Sequence, residues 1–178
     1  MMMAVAAHED LELRQFDVRT AFLNGWLKEE VYLRVPAGLK GVLGKGGKVL
    51  RLRRALHGLK QASRAWNERL EGELARKGFV QSDADPSLWI LHGEDGAVLA
   101  LFYVDDGLVA ARTAREADAL VDLVGSIFEI RKLGEPEDFL GIEIQRDRGA
   151  GTINLTQRAK AEALAAAHGV QGACRAVP

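Results

Sequence analysis

Apolar and polar positions alternate along Leu11-Glu-Leu-Arg-Gln-Phe-Asp17, the period-two pattern of a half-buried strand that ends on a carboxylate. Thr20 to Asn24 reads as a short helical turn stopped by Gly25. Val31 to Val35 reads as a short strand closed by Pro36, and the glycine-rich stretch Gly38 to Lys48 as a loop before a further strand, Lys48 to Leu52. Between Ala62 and Lys77, Trp66, Leu70 and Leu74 fall at i, i+4 and i+8, which predicts an amphipathic helix with Gly78 at its C′ position. Ser87 to His92 and Val98 to Val104 are expected strands, separated by a turn at Gly93 to Gly96. Thr113 and Glu116 have capping-box spacing, and Ala117, Leu120, Val121, Val124, Ile127 and Phe128 then recur on one helical face. Phe139 to Gln145 and Thr152 to Leu155 read as a last strand pair across a turn at Gly149 to Gly151, and Thr156 as the cap of a closing helix that stops at Gly169. This succession predicts an α+β domain with helices on one face of an antiparallel sheet.

The pattern is most informative at Tyr103-Val104-Asp105-Asp106. An apolar run, Ala97 to Val104, precedes the two carboxylates, and Gly107-Leu-Val-Ala-Ala111 follows them. Two apolar runs around an Asp-Gly step predict a tight hairpin in which Gly107 supplies the positive φ. Adjacent carboxylates at such a tip repel each other, and burial raises the cost, so they need either water or a positive partner. Two readings are open at this point: solvated turn residues, or oxygen ligands of a divalent cation such as magnesium or manganese. Were the strand carrying Asp17 to lie beside this hairpin, three carboxylates would converge, as two-metal displacement at phosphorus requires.

Length and composition bound the rest. A chain of 178 residues, 48% apolar and 28% charged, holds one domain with a proper core, or one domain and a small appendage. A single cysteine, Cys174, excludes an internal disulfide framework and a zinc ribbon. No apolar stretch is long enough to cross a membrane, and Met1 to Ala7 is too short for a signal peptide, so an intracellular protein is expected. The net charge is −1, yet Val31 to Asn67 holds nine basic residues and no acidic one, which leaves −10 for the remainder. Such segregation is expected of a face turned to phosphates, or of a solvated basic face without a partner.

Five segments in order carry a resemblance: Gln15-Phe-Asp-Val-Arg-Thr-Ala-Phe-Leu-Asn-Gly25, Leu56-His-Gly-Leu-Lys-Gln-Ala-Ser-Arg-Ala-Trp66, Asp85-Pro-Ser-Leu-Trp89, Tyr103-Val-Asp-Asp106 and Phe139-Leu-Gly-Ile-Glu143. Together they resemble the reverse transcriptase of copia-type LTR retrotransposons, from about Leu11 to Pro178. The resemblance implies a ferredoxin-like polymerase palm over residues 1–147 and the beginning of a thumb over 148–178. It implies an RNA-directed DNA polymerase that extends a primer 3′-hydroxyl by two-metal nucleotidyl transfer. Asp17, Asp105 and Asp106 would be the catalytic carboxylates and would bind two Mg2+ ions, or Mn2+, with the backbone carbonyl of Val18 as a further ligand. Phe22 would pack under the incoming sugar and exclude a 2′-hydroxyl. His57, Gly58 and Lys60 would lie against the nucleotide, with Gly58 allowing close backbone approach. Tyr103 would lie near the primer terminus, and Phe139, Leu140 and Gly141 would begin the primer grip. Implied partners are an RNA or DNA template with its primer, deoxynucleoside triphosphates, and the rest of a polyprotein (fingers, RNase H, integrase). No membrane is implied, and the compartment would be a cytoplasmic virus-like particle or the nucleus.

His57 stands where the family usually has Tyr, and Ser63 where it has Pro. Most of the fingers region expected upstream of Asp17 is missing from this sequence. The alternative reading is therefore a catalytically inactive remnant that at most binds nucleic acid. A nucleotidyl cyclase, another palm-fold enzyme, is disfavoured because its glycine-rich acidic signature is absent.

Overall fold

The structure is a computed structural model that describes residues 1–36, 38, 49–93 and 96–169. Lys40, Lys45, Lys48, Cys174 and most of the expected loop 38–48 lie outside the described residues, as does the middle of the turn at 93–96. In chain order the elements are α1 (Met2–His8), β1 (Glu12–Val18), α2 (Ala21–Asn24), β2 (Trp26–Arg34), β3 (Val49–Arg54), α3 (Ala62–Arg76), β4 (Val80–Gln81), β5 (Leu88–His92), β6 (Ala97–Tyr103), β7 (Asp106–Ala111), α4 (Ala114–Ile127), β8 (Ile130–Gly134), β9 (Asp138–Phe139), β10 (Ile142–Asp147), β11 (Thr152–Thr156) and α5 (Arg158–Ala167). The mixture of helices and antiparallel sheet is the expected α+β class.

A six-stranded sheet in the order β4-β5-β6-β7-β1-β8 forms the centre, and its neighbouring strands pair antiparallel. Strand parity divides its side chains between two cores. Phe16, Val18, Val98, Ala100, Phe102, Val109 and Ala111 pack against Trp66, Leu70 and Leu74 of α3 and Leu120, Val121 and Val124 of α4. The predicted stripes of both helices are thus the buried ones. On the opposite face, Leu11, Leu13, Leu108 and Ala110 meet Met2 and Ala6 of α1 and Phe139 and Ile144 of the β9–β11 sheet. Helices on one face is therefore correct for α3 and α4, and α2 adds Ala21 to that same core. The unpredicted α1 and a second sheet cover the other face, because β7 is buried on both sides and exposes apolar groups to each.

Local chemistry explains the elements. In α4 the capping box forms as expected, with Glu116 N–H donating to Thr113 Oγ1 at 3.2 Å and Thr113 N–H to Glu116 Oε2 at 3.1 Å. Thr156, by contrast, is not the cap of α5. It ends β11 and donates to Glu143 Oε2 at 3.0 Å, while Glu143 Oε1 accepts from Ala159 N–H at 3.1 Å. A carboxylate from the neighbouring strand thus serves one free N–H group of the first turn. Gly25 does not stop α2 through a left-handed backbone, since its φ is −76°. Its missing side chain matters because a Cβ there would stand 2.7 Å from the Ala65 carbonyl carbon of α3.

Two strand expectations change. Phe139 to Gln145 is broken into β9 and β10 by Leu140 and Gly141, both at positive φ (54° and 74°), so Phe139 and Ile142 pair across a two-residue turn. β2 starts at Trp26, five residues before the expected strand, and pairs with β3 as a separate ribbon with an irregularity between Trp26 and Val31. The short edge strands β4 and β8 gave too little alternation to be read from sequence.

Candidate active site

The hairpin β6–β7 closes differently from the Asp-Gly expectation. Tyr103 pairs with Asp106, which makes Val104 and Asp105 the two turn residues, and the positive φ of 57° belongs to Val104. Gly107 lies inside β7, opposite Phe16 and Phe102. A Cβ at 107 would stand 2.1 Å from Phe16 Cζ, so glycine is required there by the aromatic ring and not by turn geometry. Phe16 and Phe102 meet edge to face across the same position, with centroids 5.6 Å apart.

This packing aligns the acidic residues. Asp17 on β1 is the direct register partner of Asp106 on β7, and Val18 N–H donates to the Asp105 carbonyl at 2.7 Å. The strand carrying Asp17 does lie beside the hairpin tip. By parity Asp17, Tyr103 and Asp106 share the face of Leu11, Leu13 and Leu108, away from α3 and α4. Burial pushes the Asp106 carboxyl above the usual aspartate range, and the charges of Asp105, Asp17 and Asp138 push it further; Arg131 opposes them. Arg131 is the β8 neighbour of Asp17 and brings its Nε to 3.9 Å from Asp17 Oδ1. Among the described residues, no three His, Cys, Asp or Glu side chains are already gathered into a metal-ligand group. The donor set is nevertheless all oxygen, adjacent in register and short of positive charge, which fits a hard divalent cation.

The remaining candidates divide into three groups. Phe22 on α2 and His57 face each other with ring centroids 5.6 Å apart. Both line a cavity of about 270 Å³ that also touches Leu56, Val104 and Asp105, so the structure brings these residues to the carboxylate turn. Gly58 has φ +91° and nothing within 4 Å of a Cβ position. Its glycine is demanded by that backbone conformation, not by close approach of protein atoms. Lys60 is exposed just before α3. Tyr103 is 56% exposed beside Asp106. Phe139 is buried at 8% in the second core, whereas Leu140 and Gly141 form the exposed turn of β9–β10.

The basic block is less segregated than its composition implies. Arg51 pairs with Glu30, and Arg64 with Glu29 and Glu68, acidic residues that the strands and α3 bring back against it. Arg54 lies 3.5 Å over the Trp26 ring and donates to the Asn24 carbonyl. Arg34, Arg53 and Lys60 make no ion pair among the described residues. Sequence reasoning missed Arg131, Asp138 and the second role of Trp66, whose indole N–H donates to the Val104 carbonyl at 2.6 Å. For Trp66 a signal existed: a fully buried indole still needs an acceptor for its N–H.

The reverse transcriptase (RNA-dependent DNA polymerase) family model matches residues 1–174. The chain is 33% identical over 157 residues to the retrovirus-related Pol polyprotein from transposon TNT 1-94 of Nicotiana tabacum, covering 88% of this chain and 12% of that protein. It is 37% identical over 146 residues to the Pol polyprotein from transposon RE1 of Arabidopsis thaliana, covering 82% and 10%. To the transposon Ty1-MR1 Gag-Pol polyprotein of Saccharomyces cerevisiae it is 27% identical over 154 residues, covering 83% and 8%. The chain thus spans about a tenth of the length of these relatives. With its paired aspartates in register and a family match along nearly its whole length, the chain belongs to the reverse transcriptase (RNA-dependent DNA polymerase) family, among the Pol polyproteins of copia-type retrotransposons.

Proposed function

We propose that residues 1–147 are the palm, of ferredoxin-like design, of an RNA-directed DNA polymerase, and that 148–178 begin its thumb. The pairing of Asp17 with Asp106 on adjacent strands, with Asp105 tied to Val18 at the turn, carries this reading. Asp17, Asp105 and Asp106, with the Val18 carbonyl, would hold two Mg2+ or Mn2+ ions. When bound, such ions activate a primer hydroxyl and neutralise the leaving pyrophosphate. The protein's own part is positional. Phe22 and His57 wall the cavity beside the carboxylate turn, where an incoming deoxynucleotide would be held with Gly58 and Lys60 at its margin. Tyr103, exposed beside Asp106, and the exposed turn at Leu140–Gly141 would meet the primer strand. No side chain has to act as nucleophile, since the attacking oxygen belongs to the primer. Template, primer, deoxynucleoside triphosphates and the rest of the polyprotein are the partners of this reading.

Primer extension on an RNA template with Mg2+ or Mn2+ tests it. Incorporation that Asp105→Asn lowers at least a hundredfold is the expected result. Absence of incorporation, even with a fingers segment supplied in fusion, overturns it. Template-primer binding that ignores divalent metal and weakens steeply with salt would then mark the chain as a remnant that only binds nucleic acid.

A further inference from the structure

Val104 is a strained point of the site, as is Thr20, which lines the same cavity at φ 49°. Val104 is β-branched and holds a left-handed backbone, φ 57°, a conformation that branched side chains rarely adopt. Its position is not a matter of indifference, because the residues on either side fix the acidic register: Tyr103 pairs with Asp106, and the Asp105 carbonyl accepts from Val18. Relaxing Val104 to an ordinary φ would swing the peptide groups of Asp105 and shift Asp106 against Asp17.

The carbonyl at this corner has a dedicated donor. Trp66 on α3 is 1% exposed, and its Nε1 stands 2.6 Å from Val104 O. The ring itself is braced, meeting Phe128 edge to face at 5.0 Å. A buried indole anywhere in the core would need an acceptor, but this one takes the carbonyl of the left-handed residue in the carboxylate turn. The same helix starts at Ala62, directly after the His57–Lys60 loop, and Ala62 N–H donates back to the Leu59 carbonyl. One rigid element therefore touches both the cavity-lining loop and the strained turn.

We propose that Trp66 is a positioning residue: its indole N–H holds Val104 in the left-handed conformation that sets Asp105 and Asp106 against Asp17, and so ties the carboxylate turn to the loop at His57–Lys60. The catalytic consequence rests on the polymerase reading above, whereas the link between Trp66 and the turn does not.

The experiment is a double-mutant cycle of Trp66→Phe and Val104→Gly in the full chain. Phenylalanine keeps an aromatic against Phe128 and removes the donor; glycine accepts positive φ without strain. Three quantities are read: thermal unfolding midpoint, Mn2+ affinity by water-proton relaxation, and primer extension. W66F should weaken Mn2+ binding and slow incorporation by about tenfold each, the size expected when one buried carbonyl is left unpaired. In the V104G background the same change should alter both by less than about threefold. Loss of stability without change in Mn2+ affinity, or equal effects in both backgrounds, overturns the proposal and leaves Trp66 a core residue. If the unmodified chain binds no Mn2+ and extends no primer, the polymerase reading fails, and the stability cycle alone decides: coupled midpoints uphold the link, additive ones overturn it. Should W66F not fold, the tryptophan isostere benzothienylalanine at 66, in which sulfur replaces the donor N–H, takes its place with the same criteria.

Discussion

Gly107 and Asp106 are neighbours with opposite lessons. Gly107 supports the fold: Gly107→Ala would drive a methyl group into the Phe16 ring at 2.1 Å, a collision that neither the ring nor the strand backbone can escape cheaply. A loss of about 2–3 kcal/mol is expected from urea unfolding, at the upper end of ordinary overpacking. Asp106 works against the fold. Because its carboxyl titrates above the ordinary range, the folded chain holds that proton more tightly than the unfolded chain does. The fold therefore loses stability as pH rises from about 4, the unfolded aspartate value, through the raised one. Asp106→Asn should raise the unfolding free energy at neutral pH in metal-free buffer, by under about 1 kcal/mol given the solvent around the group. The gain should vanish below pH of about 4, and primer extension should be lost at every pH. Arg131 relieves part of this cost, since its charge favours the ionised Asp106 carboxylate.

At the scale of elements, periodicity was enough wherever one element buried one face. The stripe of α3, the face of α4, the capping box at Thr113 and the strand delivering Asp17 were all legible in the sequence. What was not legible depends on partners distant in the chain. The Asp-Gly step is a stronger local turn signal than Val-Asp, yet the Phe16 ring claims Gly107 for the strand and moves the turn back by two residues. Likewise Thr156 has the local character of a cap, but β10–β11 pairing occupies it and Glu143 takes over. Glu143→Ala should accordingly fray α5, costing about 1 kcal/mol locally. Faster amide exchange over Ala159 to Glu162, with α4 unaffected, is the expected readout. Equal protection in both proteins would assign the cap to another group.

Taken whole, the molecule places its candidate site where two bodies meet. The six-stranded sheet brings Asp17, Asp105 and Asp106 together, while the β9–β11 sheet carries Asp138 close enough for its charge to act on Asp106. The apolar seam of Phe139 and Ile144 on Leu13 and Leu108 joins the two, and so does Arg146, 9% exposed, which donates to the Leu11 carbonyl and to Asp10 Oδ1. None of this joint was readable from motifs, since Arg146 and Asp10 are 136 residues apart and each alone is an ordinary surface type. Arg146→Ala strands the Leu11 carbonyl and opens one end of the seam, a loss of about 2–3 kcal/mol for a hydrogen-bonded charge of this burial. The loss should be uneven. Amides of Ile142 to Thr156 should exchange faster, while those of β1, β6 and β7, held by the α3–α4 core, keep their protection. If polymerase activity needs Leu140 and Gly141 beside the carboxylates, R146A should weaken primer-template binding while leaving Mn2+ affinity unchanged. Uniform loss of protection across both sheets would instead show that they unfold as one unit, with the joint no weaker than the sheet that carries the aspartates.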